Sequence, residues 1–179
     1  MIKMGAAEGQ ILLWIQEYLR CDILTGFFKF ITGLGDNGII WIILTVVLLI
    51  VKKYRKAGLM SAAALLCSLI INNLLLKNIV ARTRPYEVIA GLQRLLPAQV
   101  DYSFPSGHTG SSFAAAVIFY MYLPKKYGIP AMVLAVLIGF SRLYLGVHYV
   151  SDVLGGAFIG IIIAFCIRRV DELRQKGKA

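Results

Sequence analysis

Three short clusters in this 179-residue chain carry side chains able to do chemistry. They are Lys77 with Arg84-Pro85, then Pro105-Ser106-Gly107-His108, then Ser141-Arg142 with His148 and Asp152. Three cations, two imidazoles and one carboxylate therefore stand among long apolar runs. Ionisable groups beside a bilayer core are costly and read as functional by default. Their types fit phosphoryl transfer. Cations hold a phosphate, one imidazole attacks phosphorus, and the other protonates the leaving oxygen.

Spacing adds detail. His148 and Asp152 are four apart, so a helix would place them on one face. A carboxylate bonded to one ring nitrogen fixes the tautomer and leaves the other nitrogen's lone pair free, as a nucleophile requires. Gly107 and Ser106 precede an apolar run and would expose backbone N–H groups at a helix N-terminus, a natural anion site. Lys77 and Arg84 are seven apart, one face of a continuous helix. Pro85 biases Arg84 out of that helix, so the chain should turn there. Arg82 reads as a snorkelling anchor. Gly146 predicts a short loop that points Arg142 back at the phosphate, where a planar guanidinium matches two oxygens. Asn72 and Asn73 are assigned structural partners rather than chemistry.

The elements that must position these groups are membrane helices. Hydrophobic residues make up 59% of the chain and charged residues only 16%, against about a quarter charged in soluble domains. A span needs about 20 apolar residues. Five runs qualify or nearly so: 37–52, 57–77, 107–123, 129–145 and 150–167. The expected fold is an all-α polytopic helical bundle forming one domain over 1–179. Residues 1–36 are expected as two amphipathic interfacial helices, 37–167 as the transmembrane bundle and 168–179 as a basic cytoplasmic tail. A sixth span through the N-terminal region is the alternative. Residues 81–104 form the longest connection, with Val88, Ile89, Leu92, Leu95 and Leu96 predicting a short helix.

Net charge is +10, and its placement gives topology. Lys52, Lys53, Arg55 and Lys56 follow the first span, Lys125 and Lys126 the third, and Arg168, Arg169, Arg174, Lys176 and Lys178 the fifth. Basic loops stay cytoplasmic, so all three clusters meet at the extracytoplasmic surface of a multi-pass cell-membrane protein. Basic residues split among short loops exclude a nucleic-acid partner. The three cysteines show neither a disulfide framework nor zinc spacing; Cys67 and Cys166 read as buried small hydrophobes. Two histidines and one carboxylate could bind a metal, but three cations would repel it. No metal and no cofactor are expected.

Together the clusters resemble the type 2 phosphatidic acid phosphatase family, whose signature is K-x6-R-P, P-S-G-H and S-R-x5-H-x3-D. Here these read KNIVARTRP (77–85), PSGH (105–108) and SRLYLGVHYVSD (141–152), with no departure. The resemblance implies that His148 attacks phosphorus and forms a phosphohistidine, with Asp152 orienting it. It implies that His108 is the acid for the leaving oxygen and then the base for water. Lys77, Arg84, Ser106, Gly107 and Arg142 would bind phosphate. The implied activity is metal-independent hydrolysis of a phosphate monoester or diphosphate on a lipid such as undecaprenyl diphosphate, phosphatidylglycerol phosphate or phosphatidic acid. A non-enzymatic lipid-phosphate or anion transporter is the alternative. Sequence leaves the exact lipid and the oligomeric state open.

Overall fold

The computed structural model describes residues 2–177. In chain order the helices are α1 (Ile2–Tyr18), α2 (Asp22–Gly35), α3 (Ile39–Ile50), α4 (Arg55–Ser68), a π-helical stretch (Leu69–Leu76), α5 (Lys77–Val80), α6 (Pro85–Val88), α7 (Gly107–Tyr122), α8 (Lys125–Tyr144) and α9 (Val150–Lys176). The described residues are all-α. Four helical stretches are long and apolar enough to cross a membrane: Asp22–Ile50, Lys52–Val88, Lys125–Tyr144 and Val150–Lys176. The 16-residue α7 is the fifth member of the bundle and its centre.

α7 packs against α9, α8 and α4. Its Ala114, Ala115, Ala116 and Ile118 are fully buried. Lipid tails are as apolar as leucine, so helices in a bilayer associate through close packing of small residues. The α7–α9 seam is built that way. A Cβ added at Gly156 would lie 2.6 Å from the Ser106 carbonyl oxygen, and one at Gly160 would lie 2.9 Å from the Ala114 nitrogen. Those neighbours are backbone and cannot swing aside. Gly160→Val should therefore cost about 1–3 kcal/mol or more. A Gly26→Ala control, where a Cβ meets nothing within 4 Å, should be neutral. Thermal unfolding in detergent checks this, and equal midpoints for the two variants would contradict it.

The π stretch has a positional role. Leu65, Leu69, Asn73 and Lys77 all line the cleft described below, each four residues from the last. A regular α-helix rotates such a series by about 40° per step. The slower π winding turns it back, so the four stay on one wall; such insertions recur at functional sites. Ala81, at φ 47°, then ends the helix, and Arg84 is extended (ψ 148°) before Pro85. The turn expected before Pro85 is present.

Other expectations need correction. His148 lies outside α9, which Tyr149 caps, so the His148–Asp152 pair belongs to a helix entrance rather than a helix face. In the 81–104 connection only Pro85–Val88 is helical; Leu92 is buried in an irregular turn against Leu12 and Tyr149. Beyond 167, α9 continues unbroken to Lys176, supported by an Arg168–Glu172 pair at 2.8 Å. Cys166 faces outward and Cys67 is half-buried. In α2, Phe28 and Ile31 face inward while Ile23, Phe27 and Phe30 face outward. Both faces are thus apolar, and only the left-handed turn at Asn37 and Gly38 separates α2 from α3.

The bundle has two distinct ends. One gathers the N-termini of α7 and α9 with the C-termini of α5 and α8. The other holds the basic loops, where Lys56 and Tyr122 meet Asp171 at 2.8 and 2.9 Å.

Candidate active site

His148 is brought to the site by a tight reversal after α8. Gly146 adopts φ 74°, a left-handed conformation natural to glycine, and Val147 N–H returns to the Arg142 carbonyl at 3.1 Å. The ring is 1% exposed. Its Nδ1 stands 3.4 Å from Asp152 Oδ2, and its Nε2 stands 3.2 Å from Arg84 Nη1. Burial pushes its pKa down to about 3, opposed by Asp152 and assisted by Arg84 and Arg142. The ring is therefore neutral at physiological pH and can carry a free lone pair.

Asp152 is fully buried at the entrance to α9. Oδ2 accepts from the Tyr149 N–H at 2.9 Å and from the Ser103 hydroxyl. Oδ1 accepts from Arg82 Nη1 at 2.6 Å. Arg82 is thus a partner of the carboxylate, not the membrane anchor expected from sequence. Its Nη2 also donates to Glu8 Oε2 at 2.7 Å.

His108 stands in the first turn of α7, its Nε2 2.8 Å from Asp36 Oδ1. Gly35 permits this approach, because a Cβ there would lie 2.9 Å from His108 Cδ2. Ser106 does not reach the cleft. It is fully buried, its hydroxyl accepts from Thr109 Oγ1 at 2.9 Å, and its N–H is donated to the Asp152 carbonyl at 3.0 Å. It caps α7 and ties it to α9, and is not among the residues that line the cleft. Gly107 remains on the wall, with no room for a side chain beside Asn73.

Lys77, Arg84, Arg142, His108 and His148 all line one cleft of about 630 Å³, together with Gly107, Asn73 and Asp101. Arg142 is 1% exposed and donates from Nη1 to Thr32 at 2.6 Å, while its Nε and Asn73 Oδ1 have no partner among the described residues. Asp101 pairs with both Lys77 and Arg84. Burial acts to raise its pKa, but the two cations more than offset that and hold it ionised. The cleft thus keeps two of its cations, Lys77 and Arg84, bridged by a carboxylate. Asp101, Asp36, Arg82, Glu8 and Ser103 were not singled out as site residues from sequence; no spacing rule ties them to the motifs. The arrangement can hold an anion, present a neutral imidazole to it, and supply a second imidazole with its own carboxylate partner.

The PAP2 superfamily model matches residues 57–176. Undecaprenyl-diphosphatase of Sulfolobus acidocaldarius is 32% identical over 156 residues, covering 87% of this chain and 75% of that protein. Phosphatidylglycerophosphatase B of Bacillus subtilis is 33% identical over 179 residues, covering 91% of this chain and 80% of its own. Among solved structures, the PAP2-type phosphatidylglycerolphosphate phosphatase of Bacillus subtilis superposes with a TM-score of 0.78 at 29% identity, covering 96% of this chain and 88% of that one. LpxE of Aquifex aeolicus gives 0.79 at 27% identity, covering 89% and 93%. With Lys77, Arg84, Gly107, His108, Arg142 and His148 of its signature lining one cleft of a membrane bundle and its family model spanning most of the sequence, this chain belongs to the PAP2 superfamily and is a multi-pass membrane phosphatase.

Proposed function

We propose that the chain hydrolyses a phosphate monoester or diphosphate on a membrane lipid, without a metal, through a phosphohistidine on His148. The observation that carries this is His148 itself, with Nδ1 toward Asp152 and Nε2 facing a cleft walled by Lys77, Arg84 and Arg142. Nε2 attacks phosphorus as the bond to the leaving oxygen breaks, and His108 gives that oxygen its proton. Water then loses a proton to His108 as its oxygen attacks phosphorus and the P–N bond breaks, releasing phosphate and restoring His148. The three cations and Gly107 at the start of α7 stabilise charge on the non-bridging oxygens.

A lipid substrate is supported by the far side of the cleft. Ile42, Leu65, Leu66 and Leu69 continue it between α3 and α4. Ile42, Leu66 and Leu69 are also exposed on the outer surface of the bundle, where hydrocarbon would lie. A tail can thus stay in the bilayer while its head group reaches the cations. Undecaprenyl diphosphate, phosphatidylglycerol phosphate and phosphatidic acid are the head-group classes to test, the first two matching the activities for which the relatives are named. Detergent-purified protein should release phosphate from one or more of these, resist EDTA, and be inhibited by vanadate. Binding without release would favour a transporter. Loss on chelation with recovery on one divalent ion would overturn the metal-free reading.

We further infer that the cleft faces the extracytoplasmic side, with α1 and α2 at that interface and the basic end of α9 in the cytoplasm. In a cysteine-free background, Gln93→Cys should react with an impermeant thiol reagent in intact cells and Lys126→Cys should not. The reverse pattern would invert the orientation.

A further inference from the structure

Behind Asp152 runs a partly buried ionic chain, Arg82 and Glu8, that takes no direct part in the proposed reaction. Arg82 lies between the two carboxylates that flank it. Its Nη1 donates to Asp152 Oδ1 and to Ser151 Oγ, both at 2.6 Å, and its Nη2 donates to Glu8 Oε2 at 2.7 Å. The guanidinium carbon lies 3.7 Å from the Tyr149 ring centre, so the plane is held by stacking as well as by its hydrogen bonds. Glu8 uses its second oxygen to accept the Ser151 N–H at 2.6 Å, one of the donors at the start of α9 that has no partner within the helix. Glu8 is itself nearly buried. It comes from α1, outside the 57–176 region matched by the family model.

We propose that Arg82 and Glu8 are positioning residues, which hold Asp152 against His148 and make α1 part of the catalytic apparatus. Asp152 is fully buried, and a buried carboxylate that loses its cation is strongly destabilised as an anion. Without Arg82 it would take up a proton and cease to accept from Nδ1. The nucleophile would then lose its tautomer control. A lysine cannot replace the arginine fully, because three hydrogen bonds and a stacked face need a planar fork rather than a point charge. Glu8 offsets the Arg82 charge and fixes which way the fork points, so its effect should pass through Arg82. Neither residue lines the cleft, so neither should govern substrate affinity.

The inference rests on His148 being the nucleophile, and the test separates the two. Full-length protein in dodecyl maltoside is assayed for phosphate release from farnesyl diphosphate. Arg82→Gln should lower kcat about 10- to 100-fold, by analogy with the loss when the outer carboxylate partner of a metal-bound histidine is removed, with KM nearly unchanged. Arg82→Lys should recover only part of the loss. Glu8→Gln should lower kcat about tenfold. In an Asp152→Asn background, assayed at high enzyme concentration, each change should cost less than about twofold, since its route of action is already cut. A merely structural role would give losses that add to that of Asp152→Asn, and such additivity overturns the proposal. So does a kcat for Arg82→Gln close to that of the unaltered protein, or a loss confined to KM. If Arg82→Gln does not fold, Glu8→Gln with and without Asp152→Asn decides on the same criteria. His148→Ala run alongside guards the premise: retained activity there would remove the nucleophile assignment itself, whatever Arg82 does.

Discussion

His148→Ala should abolish turnover while leaving the thermal midpoint of the bundle close to that of the unaltered protein. The ring sits in the loop between α8 and α9, and the apolar contacts of that loop are made by its neighbours Leu145, Val147 and Tyr149. Removing it deletes the proposed nucleophile. Asp152→Asn is the more informative companion. It keeps the ring but offers an amide in place of the carboxylate, disturbing the tautomer and the imidazolium formed in the reaction. The comparable change in a serine-protease triad costs about 10⁴ in rate. A loss of that order with Asp152→Asn, beside complete loss with His148→Ala, is the expected pair. Substantial turnover in His148→Ala would refute the assignment.

His108→Ala should behave differently, because in the proposed reaction this residue serves the leaving oxygen and later the water. Loss of a general acid costs about 10² to 10⁴. The cost should shrink for a substrate whose leaving group is already acidic, since such a group departs without a proton. With that substrate the first step proceeds and the second, which still needs a base, stalls. Acid-labile, base-stable phosphate should therefore accumulate on His108→Ala and be absent when His148 is also replaced. Label that persists after His148 is removed would reverse the roles. Asp36→Asn should resemble a milder His108 variant, because Asp36 holds His108 Nε2 at 2.8 Å.

Much of this was legible in the chain because the informative residues announce themselves by being out of place. Lysine, arginine and histidine at the ends of apolar runs are costly enough to need a reason, and period, length and basic loops located the helices around them. Other features were not legible. Asp101 and Asp36 come from loops and turns whose path depends on the packed bundle, so no local spacing relates them to Lys77 or His108. Glu8 reaches Arg82 across 74 positions of sequence, a distance only tertiary structure can close. The π stretch leaves no mark in hydropathy, since its apolar residues suit any helix. Ser106 misled for a different reason. Proline-serine-glycine before a helix fits both an anion site and an N-cap, and the cap is the role seen here, with the Ser106 hydroxyl accepting from the Thr109 N–H.

The glycine seam between α7 and α9 has a consequence for the timing of the reaction. His108 rides on α7, and His148 is fastened through Asp152 to the entrance of α9. Backbone wedged against backbone at Gly156 and Gly160 leaves no slack between the two carriers. In the proposed cycle, making and breaking the phosphorus–nitrogen bond are near mirror images, and each asks His108 to stand at the same remove from phosphorus, first giving a proton and then taking one. A hinge between the carriers would suit one half of the cycle at the expense of the other. With the carriers locked, both halves run on one fixed gauge, and whatever yields to admit a lipid must belong to the other walls.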